Sequence, residues 1–151
     1  MKTNYENSIF YTIHSCSKYF DKMFEHFFAQ LNIPLSPTEL LALRIISEKE
    51  DCSQRDLART ILKDRANTGK IAKNLEEKGM ITITLKMKNN RPSKILEITQ
   101  KGKEINDITT KQAQPLLDKI TKEISKEALD SAVETIKNFR KIVEDVVKFN
   151  I

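Results

Sequence analysis

Residues 53–102 read SQRDLARTILKDRANTGKIAKNLEEKGMITITLKMKNNRPSKILEITQKG, and this stretch decides the fold. Ser53 is placed to cap a short helix, with Asp56 three residues on and Leu57, Ala58 and Ile61 as its buried side. Asp64 caps a second helix that runs to Gly79, where a glycine suits the position just past a helix end. On that second helix Thr68, Ile71, Ala72 and Leu75 share one face, and Arg65, Asn67, Lys70, Lys73 and Asn74 occupy the other. Residues 80–85 (MITITL) and 94–99 (KILEIT) alternate and are rich in β-formers, with the basic, turn-rich KMKNNRPS between them. Two capped helices with a tight join, followed by a hairpin, form the pattern of a winged helix-turn-helix. Such a unit sets its second helix in the DNA major groove and its loop beside it.

Charge follows the same boundaries. Residues 53–103 carry a net +8, residues 1–52 carry −2 and residues 104–151 carry −1. A basic centre between faintly acidic flanks points to a local polyanion footprint rather than a generally adhesive surface.

Outward from this centre, the chain reads as mainly α with a small β wing. Residues 5–31 predict one long helix, with Ile9, Ile13, Cys16, Phe20, Met23, Phe24, Phe27 and Leu31 recurring at intervals of three and four. Its aromatics cover more than one face, so it needs two packing partners. Asn32 and Pro34 end it. Ser36, Pro37 and Glu39 form a capping box for the next helix, whose core face is Leu40, Leu41, Leu43, Ile45 and Ile46. Residues 48–51 are expected to form an acidic loop, and Cys52 beside them is expected to be exposed, with the acids raising its thiol's pKa. Thr99 can cap a fifth helix, interrupted or kinked near Pro115. Ser125 starts a sixth, with Leu129, Val133, Ile136, Val143 and Val147 as one stripe, widened by Ala132, Phe139 and Val146.

Several classes are excluded. A chain of 151 residues is one domain by the usual prior, and it has no run of eighteen apolar residues to span a membrane. The N-terminus lacks an apolar signal core, so the cytoplasm is the expected compartment. Two cysteines and two histidines, scattered, make neither a disulfide scaffold nor a metal constellation. There is no phosphate-cradling glycine loop and no nucleophile motif, so neither an enzyme nor a cofactor is expected.

The residues Asp56-Leu57-Ala58, Leu62, Asp64, Leu75-Glu76, Gly79 and, across the wing, Ile98-Thr99-x-x-Gly102 resemble the pattern of the multiple-antibiotic-resistance regulator (MarR) family. The resemblance covers the whole chain, 1–151. It implies a winged-helix DNA-binding lobe at 36–99 and dimerisation helices at 1–31 and 100–151. It further implies a homodimeric transcriptional repressor on a pseudo-palindromic double-stranded operator, released by a small-molecule effector or by cysteine oxidation. Two departures stand out. The family's wing holds Asp-x-Arg, whereas Asn90, Arg91 and Pro92 stand here, and Gly69 interrupts the recognition helix. In this reading Arg65, Asn67 and Lys70 reach base edges, Lys73, Lys86, Lys88 and Lys94 contact phosphates, and Arg91 enters the minor groove. Cys16 resembles the thiol of the family's organic-hydroperoxide-sensing branch. The plainer reading of Cys16 is a small hydrophobe on an apolar stripe. A winged helix used as a protein-interaction module, without specific DNA binding, is the other functional class compatible with this fold.

Overall fold

The computed structural model describes residues 4–147, with Val147 described in its backbone only, so that part of the predicted stripe falls outside the described side chains. The first predicted helix is divided. Tyr5–Asn7 form a 3-10 turn, and Ser8 is extended (φ −82°, ψ 149°) before α1, Ile9–Gln30. The break is chemical: the Ser8 hydroxyl accepts the Tyr11 N–H at 3.2 Å, satisfying a donor that a continuous helix would have spent on an earlier carbonyl. Asn32 then takes a positive φ of 51°, a conformation Asn tolerates, and the chain turns.

α2, Pro37–Glu48, starts at the predicted capping box: Glu39 N–H donates to Ser36 Oγ at 3.2 Å, and Ser36 N–H donates to Glu39 Oε2 at 2.8 Å. The acidic loop expected after it is only partly a loop. Cys52–Ser53 form a short strand, β1, and Cys52 is fully buried rather than exposed. Its thiol is indeed pushed up, but burial is the main cause. A two-residue strand that follows Glu50 and Asp51 carries no alternation to read, which is why the sequence pattern suggests a loop.

α3, Gln54–Ile61, is capped by Ser53, and α4, Arg65–Glu77, by Asp64. α4 ends in a Schellman motif: Gly79 (φ +72°) sends its N–H to Glu76 O at 2.8 Å and Met80 N–H reaches Leu75 O at 2.9 Å. The wing is a hairpin of β2, Ile81–Lys88, and β3, Arg91–Ile98. The eight-residue loop expected at 86–93 therefore shrinks to two residues, Asn89 and Asn90, with φ of 53° and 58°. Two consecutive left-handed residues make a type I′ turn, whose twist matches the strands and lets them extend to the tip. β1 joins the far side of β3, giving the order β1-β3-β2.

α5, Gln100–Thr121, runs through Pro115 without interruption. α6, Lys126–Val147, follows, with the Ser125 hydroxyl accepting the Ala128 N–H at 3.2 Å. The start of α5 presses on the α4–β2 connection. A Cβ built on Gly102 would stand 2.2 Å from the Met80 carbonyl oxygen, so only glycine fits there.

The core lies in the central lobe. Leu43 of α2, Leu57 of α3, Leu75 of α4, Met80, Ile81 and Leu96 are all buried and pack with Phe28, Leu35, Ile46 and Cys52. Burial of each large apolar side chain contributes about 1.5–3 kcal/mol over exposure. The outer helices are different. Phe10 and Tyr19 on α1 and Ile142 and Val146 on α6 remain exposed, and Phe10 meets Phe139 edge-on at 5.5 Å between ring centres.

Candidate nucleic-acid interface

α3 and α4 set the geometry of the interface. Leu62 takes a left-handed φ of 54°, which ends α3 and turns the chain sharply into the Asp64 cap. Thr68, Ala72 and Leu75 then anchor α4 on the core, so its opposite face must look outward. Arg65, Asn67, Lys70, Lys73 and Asn74 are all exposed on that face, as the spacing predicts. Asp64 Oδ1 accepts the Asn67 backbone N–H at 2.8 Å, and Asp64 Oδ2 accepts the Asn67 amide at 2.5 Å. These bonds hold the Asp64 carboxyl below its ordinary range and use one amide hydrogen of Asn67 in the cap. Lys73 sits 3.5 Å from Glu77, an exposed pair worth little.

At Gly69 a Cβ would meet Gln54 Nε2 at 3.2 Å, and that same nitrogen donates to the Arg65 carbonyl at 3.4 Å, so Gln54 crosses from α3 onto α4 close beside the glycine. Nothing in the sequence pattern separates Gln54 from an ordinary first-turn residue, so it is a contributor that sequence reading misses.

The wing divides the predicted cations between its two faces. Ile83 and Lys94 join Gln54, Gly69, Lys70 and Lys73 in lining an open cleft between α4 and the sheet. Side chains alternate along a strand, and Leu85 is the register partner of Lys94, so Leu85 and Met87 lie on that cleft side, both exposed. Lys86 and Lys88 point to the other face and are engaged there. Lys86 bonds Glu97 at 2.5 Å and lies 3.7 Å from Asp51; the Glu97 bond raises its pKa. Lys88 Nζ donates to the Asp51 carbonyl at 2.8 Å and to Asp56 Oδ2 at 2.9 Å. The structure thus brings Lys70, Lys73 and Lys94 together and leaves Lys86 and Lys88 apart from them. Arg91 is exposed beside the turn and, among the described residues, has no ion-pair partner.

Asp56 accepts more than its own cap. Beyond Lys88, its Oδ2 accepts the Ser53 hydroxyl at 2.7 Å and the Ser53 N–H at 3.2 Å, and Lys49 lies 3.8 Å from Oδ1. Partial burial pushes the carboxyl up, but the bonds from Lys88 and Ser53 outweigh it and hold Asp56 well below the usual carboxylate range. A second tie runs beneath the recognition helix, where Lys78 Nζ donates to Glu39 at 2.8 and 2.9 Å, joining the end of α4 to the start of α2. Burial raises the Glu39 carboxyl too, and the Lys78 bond overcomes it.

The remaining candidates lie elsewhere. Cys16 is exposed on α1, not buried on its stripe. Among the described residues no group of three or more His, Cys, Asp or Glu is placed to hold a metal, and no helix is long and apolar enough to cross a membrane.

A helix presented on a capped turn, an exposed cationic face and a two-stranded wing beside it define a winged helix-turn-helix protein. Residues 35–91 match the model of the MarR family. The match covers the winged lobe, from the end of the segment before α2 to the start of β3. The fold agrees over nearly the whole chain. The transcriptional regulator SlyA superposes with a TM-score of 0.81 at 23% identity, over 95% of this chain and 99% of that one. A MarR-family regulator from Listeria monocytogenes complexed with a 26mer DNA gives 0.80 at 23% identity, over 96% and 97%. Staphylococcus aureus MarR in complex with salicylate and kanamycin gives 0.71 at 22%, over 93% and 91%. At these identities the likeness is one of fold. No curated protein matches the chain.

Proposed function

We propose that the protein is a homodimeric, sequence-specific repressor of transcription that binds a pseudo-palindromic operator in the cytoplasm. The observation that carries this reading is the outward face of α4, where Arg65 and Lys70 are exposed at the capped N-terminal half and Lys73 and Lys94 flank the cleft. Arginine and lysine in that half of a recognition helix suit guanine edges, and the flanking lysines suit phosphates. The DNA complex of the L. monocytogenes relative supports the same use of the fold. The lobe at 36–99 serves DNA, and the helices within 1–31 and 100–151 serve dimerisation. Support for the latter is the apolar surface left open on α1 and α6. Relief of repression by a small ligand has support in the salicylate complex of S. aureus MarR. Oxidation of the exposed Cys16 is the alternative trigger.

Selection from a randomised duplex pool tests the reading. The expected result is an enriched inverted repeat whose half-sites lie about one helical turn apart. Enrichment of no sequence would count against specific binding and favour the protein-interaction module.

A further inference from the structure

Lys88 is tied down where a DNA-contacting cation would be free. It is the last residue of β2, and its ammonium is held between the Asp51 carbonyl and the Asp56 carboxylate. Asp56 also closes the cap of α3, so one carboxylate joins the wing tip to the helix that precedes the recognition helix.

Two features give this tie something to do. First, β1 pairs with β3 only at Ser53↔Ile95 and Cys52↔Leu96, so beyond Ile95 the wing is a bare two-stranded ribbon. Such ribbons are marginal in water without a third partner. Lys88 supplies an attachment near the outer end of that ribbon. Second, Lys88 is the direct register partner of Arg91. Like charges opposite one another repel. Pairing Lys88 with Asp56 neutralises one of the two and leaves Arg91 as the free cation at the tip.

We propose that Lys88 is a positioning residue: through Asp56 and the Asp51 carbonyl it locks the wing to the α3 cap, and so determines where Arg91 is presented to the duplex. The proposal rests on the DNA-binding reading for its second half and on the geometry alone for its first. It replaces the phosphate contact that the sequence suggests for Lys88. It also supplies from α3 an acid near the wing tip, where the turn itself carries Asn89 and Asn90.

Two measurements on the full chain test it, with Lys88→Gln, Lys88→Arg, Asp56→Asn and Ser53→Ala. Ser53→Ala breaks the α3 cap without removing a Lys88 partner and serves as the control. Hydrogen exchange reads the tie without DNA. Amides of the outer ribbon should exchange faster in Lys88→Gln and Asp56→Asn and remain near wild type in Lys88→Arg and Ser53→Ala. Unchanged exchange in the first two overturns the tie. Titration of the duplex enriched from the random pool reads the presentation of Arg91. Lys88→Gln and Asp56→Asn should each weaken binding by about tenfold, and together no more than either alone. Both should add little on an Arg91→Ala background, leave the salt slope in place, and be relieved by Lys88→Arg. If Asp56→Asn binds as well as or better than wild type while Lys88→Gln flattens the salt slope by about one unit, Lys88 is a phosphate contact and the proposal fails. If the wild type binds no duplex, the DNA-binding reading and the presentation of Arg91 fall together, and the exchange data alone decide the tie.

Discussion

Asp56 shows how one side chain can be read correctly and incompletely. Its spacing from Ser53 marks a capping residue, and it is one. The sequence does not reveal that the same oxygen receives Lys88, thirty-two residues later, because a long-range pair leaves no local pattern. The Glu39–Lys78 pair escaped for the same reason. Cys52 was misplaced by its acidic neighbours, since burial depends on a strand partner, Leu96, that the surrounding composition does not encode. These carboxylates make a testable statement about pH. Both Asp56 and Glu39 have folded-state pKa values below their unfolded ones. Such groups bind fewer protons when folded, so their stabilisation is fully present above the ordinary carboxylate pKa, about 4, and is lost as pH falls through the lowered values. Urea unfolding between neutral pH and about pH 3 should therefore show falling stability. Asp56→Asn should start lower and fall less; an equal slope in wild type and variant would deny Asp56 this role.

At the scale of elements, the helices of the lobe were legible because each carries its own start signal: Ser36, Ser53, Asp64 and Thr99 cap α2, α3, α4 and α5. The wing was legible in kind but not in length. Lys86 and Lys88 look like loop residues, yet a two-asparagine turn in the left-handed region lets the strands run to residues 88 and 91. That difference matters, because strand alternation is what turns Lys86 and Lys88 away from the cleft while Lys94 stays beside it. The recognition helix and the wing should therefore contribute unequally. Arg65→Ala or Lys70→Ala is expected to weaken operator binding by about 1–3 kcal/mol and relax base preference, as loss of a base contact does. Arg91→Ala should lose less. No carboxylate touches the Arg91 side chain among the described residues, so a tie at Lys88 would place the strand but leave the guanidinium itself without a clamp. Competition titrations with operator variants would measure both; a greater loss for Arg91→Ala would make the wing the dominant reader.

The whole molecule divides into a packed lobe and an arm of under-packed helices. Tyr19, Ile136, Ile142 and Val146 are exposed in the single chain, and large apolar side chains left open together mark interaction sites. The stripe on α6 was visible as periodicity, but periodicity cannot distinguish a face that packs inside the chain from one that packs on a second copy. A second copy is the expected partner for this face. Val143→Glu should then lower the mass seen by light scattering at micromolar concentration and lower thermal stability with it; a wild type that is monomeric there would refute the dimer. Cys16 lies on α1 within this arm. If its thiolate attacks an organic hydroperoxide, the O–O bond breaks, the alcohol leaves and a sulfenic acid remains. Were α1 packed on a second copy, a polar group there would disturb that contact, and with it the spacing of two recognition helices that must match about 34 Å of duplex. Hydroperoxide titration of operator binding should release wild type and spare Cys16→Ser; equal sensitivity in both would remove Cys16 and leave a small ligand as the trigger.

The central claim is that the α4 face and the adjoining wing are a surface for specific duplex DNA. The most direct measurement is the affinity for the enriched inverted repeat, and for a scrambled duplex of equal length, as salt is raised. Each phosphate neutralised adds about 0.9 to the negative slope of log K against log salt. The expected result is a steep slope with both duplexes and a preference for the inverted repeat that persists across the range. A flat slope, or equal affinity for the two duplexes at every salt concentration, would contradict it.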